Sequence, residues 1–117
     1  MFLVDIQAAI RANHILAGPH AANEAGADFL SLHEIWQSLL LSESEIIEDY
    51  PTDPRGPSCL IYCEVNGMPE HVVIAYPCTM AAHQIQLPAL AFMITCSQPG
   101  GLKHAHKWSA DFKRRIP

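Results

Sequence analysis

A chain of 117 residues, half of them apolar, can bury one core and is short for two ordinary domains, so it reads as a single domain over 1–117. Its net charge of −5 speaks against wholesale nucleic-acid binding through a basic surface, yet the charge is unevenly spread: of the 12 acidic residues only Asp111 lies beyond residue 102, where Lys103, Lys107, Lys113, Arg114 and Arg115 make up five of the 7 basic ones. No apolar run reaches the roughly 18 to 20 residues of a membrane span, and Met1 to Ile10 holds Asp5 and Gln7 without a basic flank, which predicts a cytoplasmic protein with no membrane partner.

Val4, Ile6, Ala9 and Ile10 are spaced as in a helix over Val4 to Ala12, which Gly18 and Pro19 bring to an end. The alanine-rich piece His20 to Asp28 reads as a second short helix, opened by a proline near its first turn. A third follows, because Leu32, Ile35, Trp36, Leu39 and Leu40 recur at i, i+3, i+4, i+7 and i+8. Ser31 and Glu34 frame its start as a capping box, each side chain satisfying a backbone donor that the first turn leaves open.

Glu45 to Tyr50 reads as a strand ended by Pro51. In the connection Thr52 to Pro57, Asp53 suits the first turn position, Pro54 fixes φ at the second, and Gly56 tolerates the return. Ser58 to Val65 is a second strand, Asn66-Gly67 a type I′ turn signal, and Met68 to Tyr76 the antiparallel return. This turn sets Val65 opposite Met68 and His71 opposite Tyr62. One face then carries Leu60, Tyr62, His71 and Val73, the other Cys59, Ile61, Val72 and Ile74. Both faces are apolar, so the hairpin is predicted to be central and covered on both sides.

A strand or loop around His83 to Leu87 precedes a last strand at Leu90 to Cys96, and Trp108 with Phe112 at i, i+4 predicts a short final helix. Cys59, Cys63, Cys78 and Cys96 sit in apolar surroundings without paired CxxC spacing, which predicts packed, reduced thiols. His104 and His106, with His83 or Cys96, are metal-binding types, but the paired short spacings of structural zinc are missing, so neither a metal nor another cofactor is predicted.

The run from Ile46 to Leu60, with Pro51, Asp53-Pro54-Arg55-Gly56-Pro57 and Ser58-Cys59-Leu60 in it, resembles an uncharacterised prokaryotic domain family, DUF4258, grouped with the RelE/ParE-like toxins of toxin–antitoxin systems. The resemblance extends to His20, Ala21 and Glu24 upstream, to Asn66-Gly67 and Pro69-Glu70-His71-Val72-Val73 downstream, and to Trp108 with Asp111-Phe112-Lys113-Arg114-Arg115 at the end; it thins between Tyr76 and Lys107. It implies an α+β fold of N-terminal helices packed on a small antiparallel sheet, closed by the short C-terminal helix.

Cleaving RNA takes a group to activate the 2′-hydroxyl, a group to protonate the leaving oxygen, and a cation to hold the phosphorane. Arg55, planar and flanked by prolines, suits the cation, or else bonds loop carbonyls and pairs with Asp49 or Asp53. His71 suits a general acid or base, since histidine titrates near neutral pH and a rigid strand would hold it, or else is a core histidine hydrogen-bonded to a neighbour such as Tyr62. His20, at a helix start that favours phosphate, is the second titrating group or an ordinary helix-opening residue. Lys103, Lys107, Lys113, Arg114 and Arg115 are the candidate backbone-binding cations. Two functions follow: a toxin-like, metal-independent ribonuclease or RNA-binding protein whose partners are RNA or the ribosome and an antitoxin, and a non-catalytic module that keeps the fold and offers its groove to a partner protein, a reading favoured by the apolar character of Pro77 to Ile94.

Overall fold

A computed structural model describes residues 1–54, 56–78, 90–100 and 108–116. In chain order the elements are α1 (Leu3–Arg11), β1 (Ile15–Ala17), α2 (Pro19–Ala27), α3 (Leu32–Ser38), β2 (Glu45–Tyr50), β3 (Ser58–Val65), β4 (Met68–Cys78) and β5 (Leu90–Ser97). The architecture is α+β, as the sequence predicts.

The helices are short, and isolated helices of this length do not persist in water, so burial of one face on the sheet must hold them. In α1 that face is Ile6, Ala9 and Ile10. In α2, which starts with Pro19 after Gly18, it is Ala21 and Ala25, two small side chains that let the helix approach β5 until the Cys96 thiol lies 3.7 Å from the Ala21 carbonyl. In α3 it is Ile35 and Trp36, continued by Leu39 just past the helix end. The predicted capping box is present: Glu34 N–H donates to Ser31 Oγ and Ser31 N–H to Glu34 Oε1, each at 3.0 Å.

These faces meet Cys59, Ile61, Cys63, Val72, Ile74, Ala91, Met93 and Cys96 on one side of the sheet, and together they form the main core. Each large aliphatic side chain buried there contributes about 1.5–3 kcal/mol. The hairpin has the predicted register, with Val65 paired to Met68 and Tyr62 to His71. Its turn residues Asn66 and Gly67 have φ of 53° and 80°, as a type I′ turn requires.

Two expectations need correction. The sheet is mixed, ordered β1-β5-β4-β3-β2, with β1 running parallel to β5 and the other pairs antiparallel. Ile15 to Ala17 is only 3 residues, too short for an alternating pattern to announce it. The short C-terminal helix is also absent among the described residues: residues 108–116 form a strap in which Trp108 and Arg115 make an antiparallel bridge. Local side-chain bonds redirect the backbone there, since Asp111 Oδ1 accepts from Lys113 N–H and Ser109 Oγ from Arg114 N–H, and Phe112 takes a left-handed φ of 61°.

Candidate functional site

The face of the sheet turned away from the helices carries the ionisable side chains, and a bulge in β2 gathers them. Ile46 pairs with Ile61 and Glu48 with Leu60, so Ile47 is the extra residue. Glu45, opposite Tyr62, and Glu48, opposite Leu60, therefore share one face although three positions apart, and Tyr50 joins them two residues on. Beside them stand Tyr62 on β3, His71 and Val73 on β4, and Ser97 on β5, paired with His71.

The strap lies across this face. Trp108 sets its ring edge-on to His71, with centroids 4.3 Å apart, and is itself buried. His71, only 4% exposed, brings Nε2 to 2.7 Å from the Phe112 carbonyl oxygen. A carbonyl only accepts, so Nε2 carries the proton in this contact. The Tyr62 ring sits 6.3 Å from that of His71, centroid to centroid, and the Tyr62 hydroxyl donates to Glu64.

Two ion pairs tie the strap to β2. Arg115 grips Glu48 through one edge of its guanidinium, Nε to Oε2 at 2.7 Å and Nη2 to Oε1 at 3.1 Å, while Lys113 Nζ lies 3.0 Å from Glu45. Arg115 also rests 4.8 Å from the centre of the Trp108 ring. The Tyr50 hydroxyl donates a short hydrogen bond to Glu48. Burial alone raises the Glu48 carboxyl, but the bonds from Arg115 and Tyr50 outweigh it and hold it below the usual range. Tyr50 is shifted upward by burial and then by Glu48, and burial with Glu64 pushes Tyr62 up to about 12.

Between strap and strands lies a cleft of about 230 Å³ lined by Tyr50, Leu60, His71, Val73, Ser97, Trp108 and Arg115. Its chemistry is one imidazole, one guanidinium, one phenol and an indole wall. The side chain of Arg115 is 58% exposed, and exposed ion pairs contribute only about 0–1 kcal/mol. The arginine side of the pair is thus open to solvent, while the wall and floor of the cleft are apolar, which strengthens a charge contact made inside it.

The predicted set His20, Arg55 and His71 does not come together as a described site. His20 is exposed on α2, in the helical layer, whereas His71 projects from the opposite face of the sheet. Arg55 lies outside the described residues, as do Lys103, Lys107, His83, His104 and His106. Lys113 and Arg115 do reach the face of His71, and Arg114 is exposed on the strap. Sequence reading missed Glu48 and Tyr50; the signal for them was the spacing Glu45, Ile46, Ile47, Glu48, which breaks strand alternation in the way a bulge does. Cys59, Cys63, Cys78 and Cys96 are buried free thiols. Burial pushes Cys59, Cys63 and Cys96 up to about 12, so these three are neutral and poor nucleophiles near pH 7. Among the described residues no group of His, Cys, Asp and Glu side chains is arranged to hold a metal ion, and no helix is long and apolar enough to cross a membrane.

The fold and cleft define a small α+β domain that gathers an imidazole and a guanidinium beneath the strap, on the side of its sheet away from the helices. The family described as a domain of unknown function, DUF4258, matches residues 18–82, more than half of the chain, and the chain belongs to that family. The match takes in α2, α3, the whole β2–β4 unit and the Pro-Arg connection, but stops before the strap. No curated protein and no solved structure matches the chain.

Proposed function

We propose that the chain is a RelE/ParE-like, toxin-like protein directed at RNA, and that the cleft of His71, Tyr50 and Arg115 is where it holds a phosphodiester. The observation that carries this reading is the convergence of those three side chains on one face, beside an indole wall. Arg115 supplies the planar fork that suits two phosphate oxygens, and Trp108 the ring on which a base stacks. In the cleavage step the 2′-hydroxyl attacks the adjacent phosphorus as its proton passes to the Glu48 carboxylate that Arg115 has left. The bond from phosphorus to the 5′-oxygen breaks, and that oxygen takes the Nε2 proton of His71, which acts as the imidazolium, turns this proton from the Phe112 carbonyl to the leaving oxygen and is left as neutral imidazole, with a 2′,3′-cyclic phosphate as product. The helical layer over an antiparallel hairpin supports the superfamily reading, as does the Pro-Arg connection.

The test is binding and cleavage of a fluorescent single-stranded RNA oligonucleotide at low salt. The native chain should bind, yield cyclic-phosphate ends and slow growth when induced without a partner. Arg115→Ala should weaken binding at every sequence tried and flatten the salt dependence by about one unit of slope. His71→Ala should abolish cleavage while binding persists. Absence of RNA binding, or equal binding by Arg115→Ala, refutes the proposal.

A second reading, a non-catalytic module for a protein partner, is favoured by one observation: Arg115 and the His71 Nε2 are both already engaged within the chain. RNA that binds without cleavage, with His71→Ala indistinguishable from the native chain, selects it.

A further inference from the structure

A second ionisable cluster lies on the other side of the sheet. Glu70 is 1% exposed and, paired with Cys63 on β3, points among the helices. Near it are Asp28, which caps α2, and Cys96 on β5. Neither carboxyl oxygen of Glu70 has a hydrogen-bond partner among the described residues, nor has the buried Oδ2 of Asp28. Burial first, and the Asp28 carboxyl second, push Glu70 up to about 8.

The surroundings offer the charge no relief. From α2 come Asp28 and, nearer Cys96, Glu24; from β3 Cys63 and from β5 Cys96, both neutral thiols; from α3 only the Ser38 hydroxyl, which donates to Cys63. Among the described residues no basic side chain contributes to the shift of Glu70. The side chains by which α2 is buried on the sheet, Ala21 and Ala25, are both small. Little apolar area is lost when such a helix end lifts, and openings of this local kind cost less than unfolding of a whole domain.

We propose that Glu70 and Asp28 form a proton-dependent latch: as the neutral acid, Glu70 lets the C-terminal end of α2 close over it beside Asp28, and loss of its proton to solvent favours the open form. The sign follows from linkage. In the open form Glu70 ionises as an ordinary carboxyl, at about 4.3, and in the closed form at about 8. Opening therefore releases a proton between those values. The closed form has its full advantage below the ordinary carboxyl range, loses about tenfold per pH unit as pH rises toward the closed-state value, and loses no more beyond it.

Cys96, only 1% exposed and set against the Ala21 carbonyl, reports the opening, and Cys59, fully buried elsewhere on the same face, serves as internal control. The native chain is labelled with a dithiodipyridine from pH 5 to 9.5, and the two sites are quantified by mass spectrometry. The ratio of Cys96 to Cys59 labelling should rise about tenfold per unit up to about pH 8 and then level. In Glu70→Gln it should be flat. In Asp28→Asn, which removes the facing charge and keeps an acceptor, the plateau should arrive at lower pH. A flat ratio in the native chain overturns the latch, as does an Asp28→Asn profile superimposable on the native one.

Discussion

Gly56 shows how one residue fixes the geometry between β2 and β3. Its φ is +115°, its N–H donates to the Asp53 carbonyl at 3.0 Å, and a Cβ placed on it would stand 3.2 Å from the Pro77 carbonyl oxygen. The backbone conformation strains any side chain there, and the Pro77 carbonyl would have to give by a few tenths of an ångström to admit a Cβ. Gly56→Ala is expected to destabilise the fold by about 1–3 kcal/mol, read as a lower denaturant midpoint with unchanged slope; an unchanged midpoint would show that the turn relaxes freely. At this scale the sequence was legible, because Asp53, Pro54 and Gly56 each have a turn position they favour. The partner of His71 was not, since Phe112 lies 41 residues away and contributes a carbonyl, a group every residue carries.

Among the elements, the strap sets packing against ion pairs. Trp108 is buried at 7% exposure, and removing a buried tryptophan side chain costs about 3–5 kcal/mol. The Arg115 to Glu48 pair, exposed on its arginine side, is worth about 0–1 kcal/mol. Packing wins, so the ion pairs orient the strap more than they hold it. A double-mutant cycle of Glu48→Gln with Arg115→Gln should give a coupling below about 1 kcal/mol, whereas Trp108→Ala should destabilise several times more. Because Glu48 is held below the usual carboxylate range, the pair's contribution is present at neutral pH and is lost as pH falls through that depressed value. The strap was misread as a helix because Trp108 and Phe112 satisfy i, i+4 spacing. The bonds made by Ser109 and Asp111 to the following backbone outcompete the helix there.

For the whole molecule, three helices, the hairpin register and the last strand could all be read from periodicity and turn chemistry, because one face of each element is buried against a common core. The sheet order could not. It depends on which strand β5 chooses as neighbours, and β1 enters with only 3 residues. The side of the sheet on which each ionisable residue falls was partly hidden as well, because a single inserted residue, Ile47, reverses the faces of everything before it in β2.

That inserted residue bears on solubility too. β2 is an outermost strand of the sheet, and among the described residues no strand pairs with its outer edge, a row of backbone groups on which another copy could pair. The bulge interrupts that row, and Glu45 and Glu48 on either side of it are tied to Lys113 and Arg115 of the strap. At the opposite edge β1 is too short to serve as a template. Deleting Ile47 would restore a regular ladder and should raise self-association through β2, seen as light scattering that climbs more steeply with concentration than for the native chain; unchanged scattering would mean that the bulge does not limit pairing there. The device that brings Glu45 and Glu48 to one face thus also breaks the regular run of that edge.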